Sequence, residues 1–280
     1  IPPPPPGLNY IAALKPSVTL LMIGTVWSSM LIPLLIVLLL FSNPRLRRQP
    51  IFILNFIAVL AGIVLGIINI YLEVTAIISP LIPVKASVFI GFVAIILYMP
   101  VLMDTILIVR LFAVYPPHMV SWPRRCAIFG PPIIFKLLRV ANLMIFIIKW
   151  TRLIKDYETP ILAGQVLWGS DEPWTRIEWF SQVFDNFYAS VLFILRLQQG
   201  RYVNENTALF LNLNLDVLAS HGSRLRSLFF IALGNFVFPC LLSLIQLIFL
   251  FRGRQFLDGT YVFLTNCYVE IIGVLLATIW

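Results

Sequence analysis

Seven stretches of about twenty or more predominantly apolar residues divide this chain, and nothing else in the sequence limits its fold as severely. They run roughly over 18–41, 51–72, 87–114, 126–150, 176–197, 227–251 and 261–280. At about 1.5 Å per residue, each is long enough as a helix to cross a hydrocarbon core of about 30 Å. None alternates with period two, as a barrel strand would. In lipid every backbone N–H and C=O must find a partner within its own segment, so the segments read as helices. The expectation is an all-α membrane protein: a seven-transmembrane helix bundle over 18–280, preceded by an extracellular Pro-rich N-terminal segment over 1–17. The run Pro2 to Pro6 in that segment reads as stiff polyproline and lacks the basic-then-apolar order of a signal peptide. The chain starts without Met and ends at Trp280 inside an apolar run, so it reads as a core whose natural tails are missing.

Composition agrees and removes several function classes. Hydrophobic residues make up 60% of the chain, charged residues 11%, and the mean hydropathy is +0.95. A soluble domain carries about 25% charged residues. The net charge of +8 sits in short loops between apolar runs, so it reads as membrane topology and argues for no nucleic-acid partner. Cys126, Cys240 and Cys267 lie in or beside apolar runs, which predicts no structural disulfide. His118 and His221 both fall in loops, leaving no imidazoles for a buried zinc site. With no His-rich cluster and no Gly-x-Ser-x-Gly turn, no enzyme activity, metal or cofactor is expected. A retinal linkage needs a lysine in the last span, and none lies between Tyr261 and Trp280.

Orientation follows from the loops. The first, third and fifth connections hold ten arginines, among them Arg47, Arg48 and Arg110, against eight Lys and Arg on the other side. That bias predicts the N-terminus outside and the C-terminus inside.

Helical spacing then selects inward faces. Asn55, Gly62, Gly66, Asn69 and Glu73 form one stripe in the second span. Asn235, Pro239, Ser243 and Gln246 form another in the sixth, Gln182, Asp185 and Asn186 a third in the fifth, and Asn266, Glu270 and Gly273 a fourth in the seventh. Small and polar stripes face the protein interior in lipid, where helix packing alone accounts for many of them. The charges ask for more. Asp104 and Lys136 each lie about ten residues from the inner edge, roughly 15 Å deep, and Arg139, Asp185 and Glu270 lie near the same level. Adjacency in an up-down bundle predicts the pairs Asp104–Lys136 and Asp185–Arg139. Glu270 is left as a neutral acid or a ligand contact. The layer is either internal glue or the floor of a ligand pocket, with Asn186, Gln182 and Asn266 beside it. Pro100, Pro131, Pro132 and Pro239 free backbone carbonyls and permit kinks around it. Gly24-xxx-Ser28 and Gly62-xxx-Gly66 fit close helix approach, within the molecule or in a homodimer.

Three local motifs resemble those of seven-helix G-protein-coupled receptors. The run Asn43-Pro44-Arg45-Leu46-Arg47-Arg48-Gln49-Pro50 leading to Asn55 is similar to the first inner loop and start of helix two in rhodopsin-like receptors. Arg110, with Pro117 seven residues on, is similar to that family's inner-end arginine and loop proline, and Pro239 to its kink proline. The chain departs from the pattern at Val109, at Leu60 and in a last span without Asn-Pro-x-x-Tyr. As a whole it resembles more closely the divergent seven-helix membrane proteins of fungi, a class that includes receptor-like members. The resemblance implies a plasma-membrane receptor, an unknown ligand in the outer half of the bundle, and a heterotrimeric G protein meeting Arg110, Arg47 and Arg48 at the inner face. The competing expectations are a proton-coupled small-molecule transporter relaying through Asp104, Asp185 and Glu270, or a structural membrane protein.

Overall fold

The computed structural model describes residues 10–79, 84–115, 121–154, 174, 176–192, 195, 239–249 and 256–279, and among them there is no strand. The helices are α1 (Tyr10–Leu40), a single turn α2 (Pro44–Arg47), α3 (Pro50–Ile78), α4 (Ala86–Val114), α5 (Trp122–Leu153), α6 (residues 176–192), α7 (Pro239–Phe249) and α8 (Phe256–Ile279). Five of them, α1, α3, α4, α5 and α8, are long and apolar enough to cross a membrane. The chain is a multi-pass integral membrane protein.

Its surface says the same. The most exposed side chains along the spans are apolar, for example Met22 at 63%, Ile67 at 60% and Leu137 at 66%. The interior holds Asn55, Asn69, Asp104, Arg139, Gln182, Asp185, Asn266 and Glu270, all nearly inaccessible. Apolar outside with polar inside is the distribution a lipid solvent selects.

Helix boundaries extend the expected segments. α1 starts at Tyr10, eight residues ahead of the expected 18, because Pro16 removes one backbone bond without stopping the helix. Residues 10–17 are helical and run without a break into this helix, whose apolar, membrane-length part is Leu14–Leu40. α3 runs on to Ile78, past the expected 72, carrying Glu73 inside the helix, with the Thr75 hydroxyl bonded back to the Tyr71 carbonyl at 2.7 Å.

α8 packs on α1, α3 and α4, so the last helix closes the bundle against the first, and α5 joins through α4. The shared core is Leu31 of α1, Leu65 of α3, Met99, Met103 and Ile106 of α4, and Leu264, Tyr268 and Ile271 of α8. The α1–α3 contact is unusually close. A Cβ on Gly66 would stand 2.2 Å from Ser28 Cβ, and one on Gly24 would stand 2.2 Å from Asn69 Nδ2. Asn69 crosses the same seam to donate to the Leu20 carbonyl at 3.0 Å. Both small-residue motifs are thus spent on packing inside the molecule.

The prolines have a specific use. Pro100 has no N–H for the Ile96 carbonyl one turn earlier, and Cys267 Sγ of α8 donates to it at 3.6 Å. Pro131 likewise releases the Ala127 carbonyl, which accepts from Tyr188 Oη of α6 at 2.6 Å. Two interior prolines therefore create acceptors that neighbouring helices fill, as lipid requires of freed backbone. Pro239 is the first described residue of α7, so any kink before it lies outside the described residues.

Candidate functional site: a charged layer under an aromatic cavity

Arg139 is the centre of the site. On α5 the buried residues Phe129, Pro132, Arg139, Asn142, Leu143 and Trp150 fall on one face at helical intervals of three, four and seven, which turns the guanidinium into the bundle, where it is fully buried. Three carboxylates from two helices converge on it. Nη1 bonds Asp104 Oδ2 of α4 and stands 3.9 Å from Asp185 Oδ2 of α6. Nε and Nη2 both face Glu178 Oε1 of α6 at 2.8 Å.

This corrects one of the two expected pairs. Asp104 takes Arg139 and not Lys136, and Asp185 reaches Arg139 only at ion-pair range. Five donors in a planar fork can serve several carboxylates at once, which one ammonium cannot. Lys136 turns to the neighbouring residue on α4, donating to Thr105 Oγ1 at 3.1 Å. Glu178 was not among the expected site residues, although it lies one turn before Gln182, and the 3–4 spacing that groups Gln182, Asp185 and Asn186 reaches it.

Glu270 of α8 has no cation within ion-pair distance among the described residues. Its Oε1 accepts from Gln182 Nε2 at 3.1 Å and from Asn266 Nδ2 at 3.0 Å, and Asn266 Nδ2 also stands 3.4 Å from Ser243 Oγ of α7. The layer thus joins α4, α5, α6, α7 and α8. Among the described residues Lys136 and Arg139 face four carboxylates: Asp104, Glu178, Asp185 and Glu270. With all six ionised, two negative charges stand uncompensated in the interior, which a low-dielectric medium does not hold without protons or a further cation. Among the described residues several buried polar atoms also find no hydrogen-bond partner: Glu178 Oε2, Asn142 Oδ1, Asn186 Nδ2, Glu270 Oε2 and both ends of the Gln246 amide. Buried polar groups are nearly always bonded, so this layer retains capacity for further donors and acceptors.

Beside the layer, toward the start of α4 and the end of α5, lies a cavity of about 180 Å³. Its wall is apolar, part aromatic with Phe92, Phe146, Trp150, Trp179 and Phe263 and part aliphatic, and Asn142, Glu178 and Gln182 bring the charged layer to its edge. Trp179 meets Phe263 edge-on at 4.9 Å between ring centres. On the other side of Arg139 a void of about 10 Å³ touches Asp104, Asp185 and Pro132, close to the size of one water.

At the far end of the bundle the three expected inner-face arginines take different positions. Arg110 is partly buried and donates to the Val274 carbonyl of α8, tying α4 to the last helix. Arg47 folds back on the end of α1, donating to Ser42 Oγ and to the Leu39 carbonyl at 2.8 Å each, where helix carbonyls lack partners. Arg48 is exposed.

No protein-family model matches the chain, and no curated protein or solved structure is significantly similar to it.

Proposed function

We propose that the chain is a seven-span receptor in the plasma membrane, with its N-terminus outside and its C-terminus inside. It senses a ligand in the aromatic cavity and couples to a cytosolic heterotrimeric G protein. The helical residues 176–192 and Pro239–Phe249 fall inside the two further apolar stretches that complete seven spans. One observation carries the reading: an aromatic cavity stands directly against a buried charged layer that joins four or more helices. A ligand touching Glu178 or Gln182 acts on contacts held by α4, α5, α6 and α8 together. Ligand binding that favours one arrangement of this layer shifts the bundle between two states. The Arg110 to Val274 contact lies at the opposite end and is the natural point of release toward a partner.

The test is nucleotide exchange on a G protein with the purified protein in nanodiscs. A molecule that binds the cavity is expected to stimulate exchange, and Asp104→Asn is expected to abolish that response while the protein still reaches the membrane. Binding without exchange at any G protein would sink the reading.

The water-sized void beside Asp104 and Asp185 favours a second reading, a proton-coupled small-molecule transporter. Proton-dependent substrate flux into proteoliposomes, with no exchange activity, would establish it in place of the first.

A further inference from the structure

We propose that the cavity takes a compact apolar monocation, an ammonium group carried on a hydrocarbon of about one ring. This deepens the ligand-sensing reading and rests on it.

Three features of the cavity select that chemistry. The first is its charge. Among its described lining residues are two carboxylates, Glu73 and Glu178, and no lysine or arginine. The layer it adjoins carries four carboxylates against two cations, so a guest with one positive charge lowers the imbalance, while an anion would add to it.

The second is the set of atoms left open. Glu178 is 8% exposed and Asn142 is 5% exposed, and both line the cavity. Arg139 occupies one oxygen of Glu178, the Asn142 amide interacts with the same carboxylate, and among the described residues Oε2 has no donor at full hydrogen-bond distance. The Asn142 amide donates to the Trp174 carbonyl at 2.8 Å, and its Oδ1 has none. Two residues that line the cavity thus each carry a buried oxygen acceptor, and an ammonium supplies up to three donors. The Trp150 indole N–H also has no partner among the described residues and suits an oxygen substituent elsewhere on the guest.

The third is size and wall. About 180 Å³ is slightly more than the roughly 150 Å³ apolar cavity known to take up benzene. Indole and phenyl faces around a desolvated ammonium add cation–π attraction that a neutral or anionic guest does not gain.

The experiment uses the full chain in phosphatidylcholine nanodiscs and a matched probe series: benzylamine, benzyl alcohol, toluene and benzoate. Binding is followed by calorimetry at neutral pH. Benzylamine is expected to bind at least about tenfold more tightly than the alcohol or toluene, with benzoate weakest, since each tenfold is about 1.4 kcal/mol of selective contact. Glu178→Gln keeps an oxygen for Arg139 and removes the charge, and it is expected to cost benzylamine about tenfold or more while the alcohol changes by less than about twofold. The wild-type series reads the guest's class by itself, so the outcome stands even where that variant folds poorly. Equal affinity for toluene or benzoate, unchanged amine binding in Glu178→Gln, or binding by none of the four would overturn the proposal. The two readings fail separately. Amine binding without nucleotide exchange would remove the receptor and leave the guest. Exchange driven by an anion or a neutral molecule that amines do not displace would keep the receptor and remove the guest.

Discussion

The α1–α3 seam and the layer around Arg139 are both buried polar contacts between membrane helices, yet they are built on opposite logics. At the seam small residues remove side chains, so backbones approach until Gly66 meets Ser28, and a long polar residue, Asn69, crosses to a carbonyl at 3.0 Å. The layer fills its space with long charged side chains from separate helices and leaves polar atoms such as Glu178 Oε2 and Gln246 Nε2 open. The seam leaves one such atom among the described residues, Asn69 Oδ1, where the layer leaves several. The layer is incomplete without protons, water or a guest, and a cavity stands against it. Packing motifs and binding motifs in a membrane thus differ less in how polar they are than in how fully they satisfy themselves.

Substitutions at the two regions test that contrast. The largest effect belongs to Arg139→Leu, which leaves Asp104, Glu178 and Asp185 around an apolar side chain. Removing one partner from a buried ion cluster costs about 3–5 kcal/mol. Reversible unfolding in mixed micelles should record that loss, and a loss under about 1 kcal/mol would mean the layer is looser than described. Gly66→Ala at the seam comes next. Its Cβ meets Ser28 Cβ, which only a helix shift can relieve, so overpacking of about 1–3 kcal/mol is expected. The same variant should leave probe affinity in the cavity unchanged, and a shift there would couple the two regions. Asn69→Leu is the smallest. It removes a single interhelical hydrogen bond, worth about 0.6 kcal/mol on average in membrane bundles. An effect as large as that of Arg139→Leu would erase the distinction between seam and layer.

Much of this was legible in the sequence, and the parts that were not share a cause. Hydropathy marks the five long helices because lipid imposes length and composition on each one separately. Helical spacing groups Gln182, Asp185, Asn186, Asn266 and Glu270 on inward faces for the same local reason. Partner choice is not local. Depth alone matches Asp104 to Lys136, whereas Arg139 takes Asp104 because a guanidinium also reaches Glu178 and comes within ion-pair range of Asp185, a geometry set by where α6 lies against α5. Glu178 lies only two residues after the expected start of its span at 176, where depth counted from the edge does not reach the layer. The expected role of Arg47 at an inner face says nothing of its bonds to Ser42 and Leu39, which depend on the turn after α1.

The carbonyls released by Pro100 and Pro131 carry one more consequence. A regular helix offers its neighbour no preferred axial position, since each turn of its hydrogen-bonded backbone resembles the next. A proline breaks that sameness at one point, and Cys267 and Tyr188 each occupy such a point. Sliding α8 or α6 by one turn, about 5.4 Å, would strand an acceptor in lipid-like surroundings and bring the donor to a carbonyl already engaged. The prolines therefore act as detents that fix vertical registration between helices, so tilting and rotation remain the cheaper motions for this bundle.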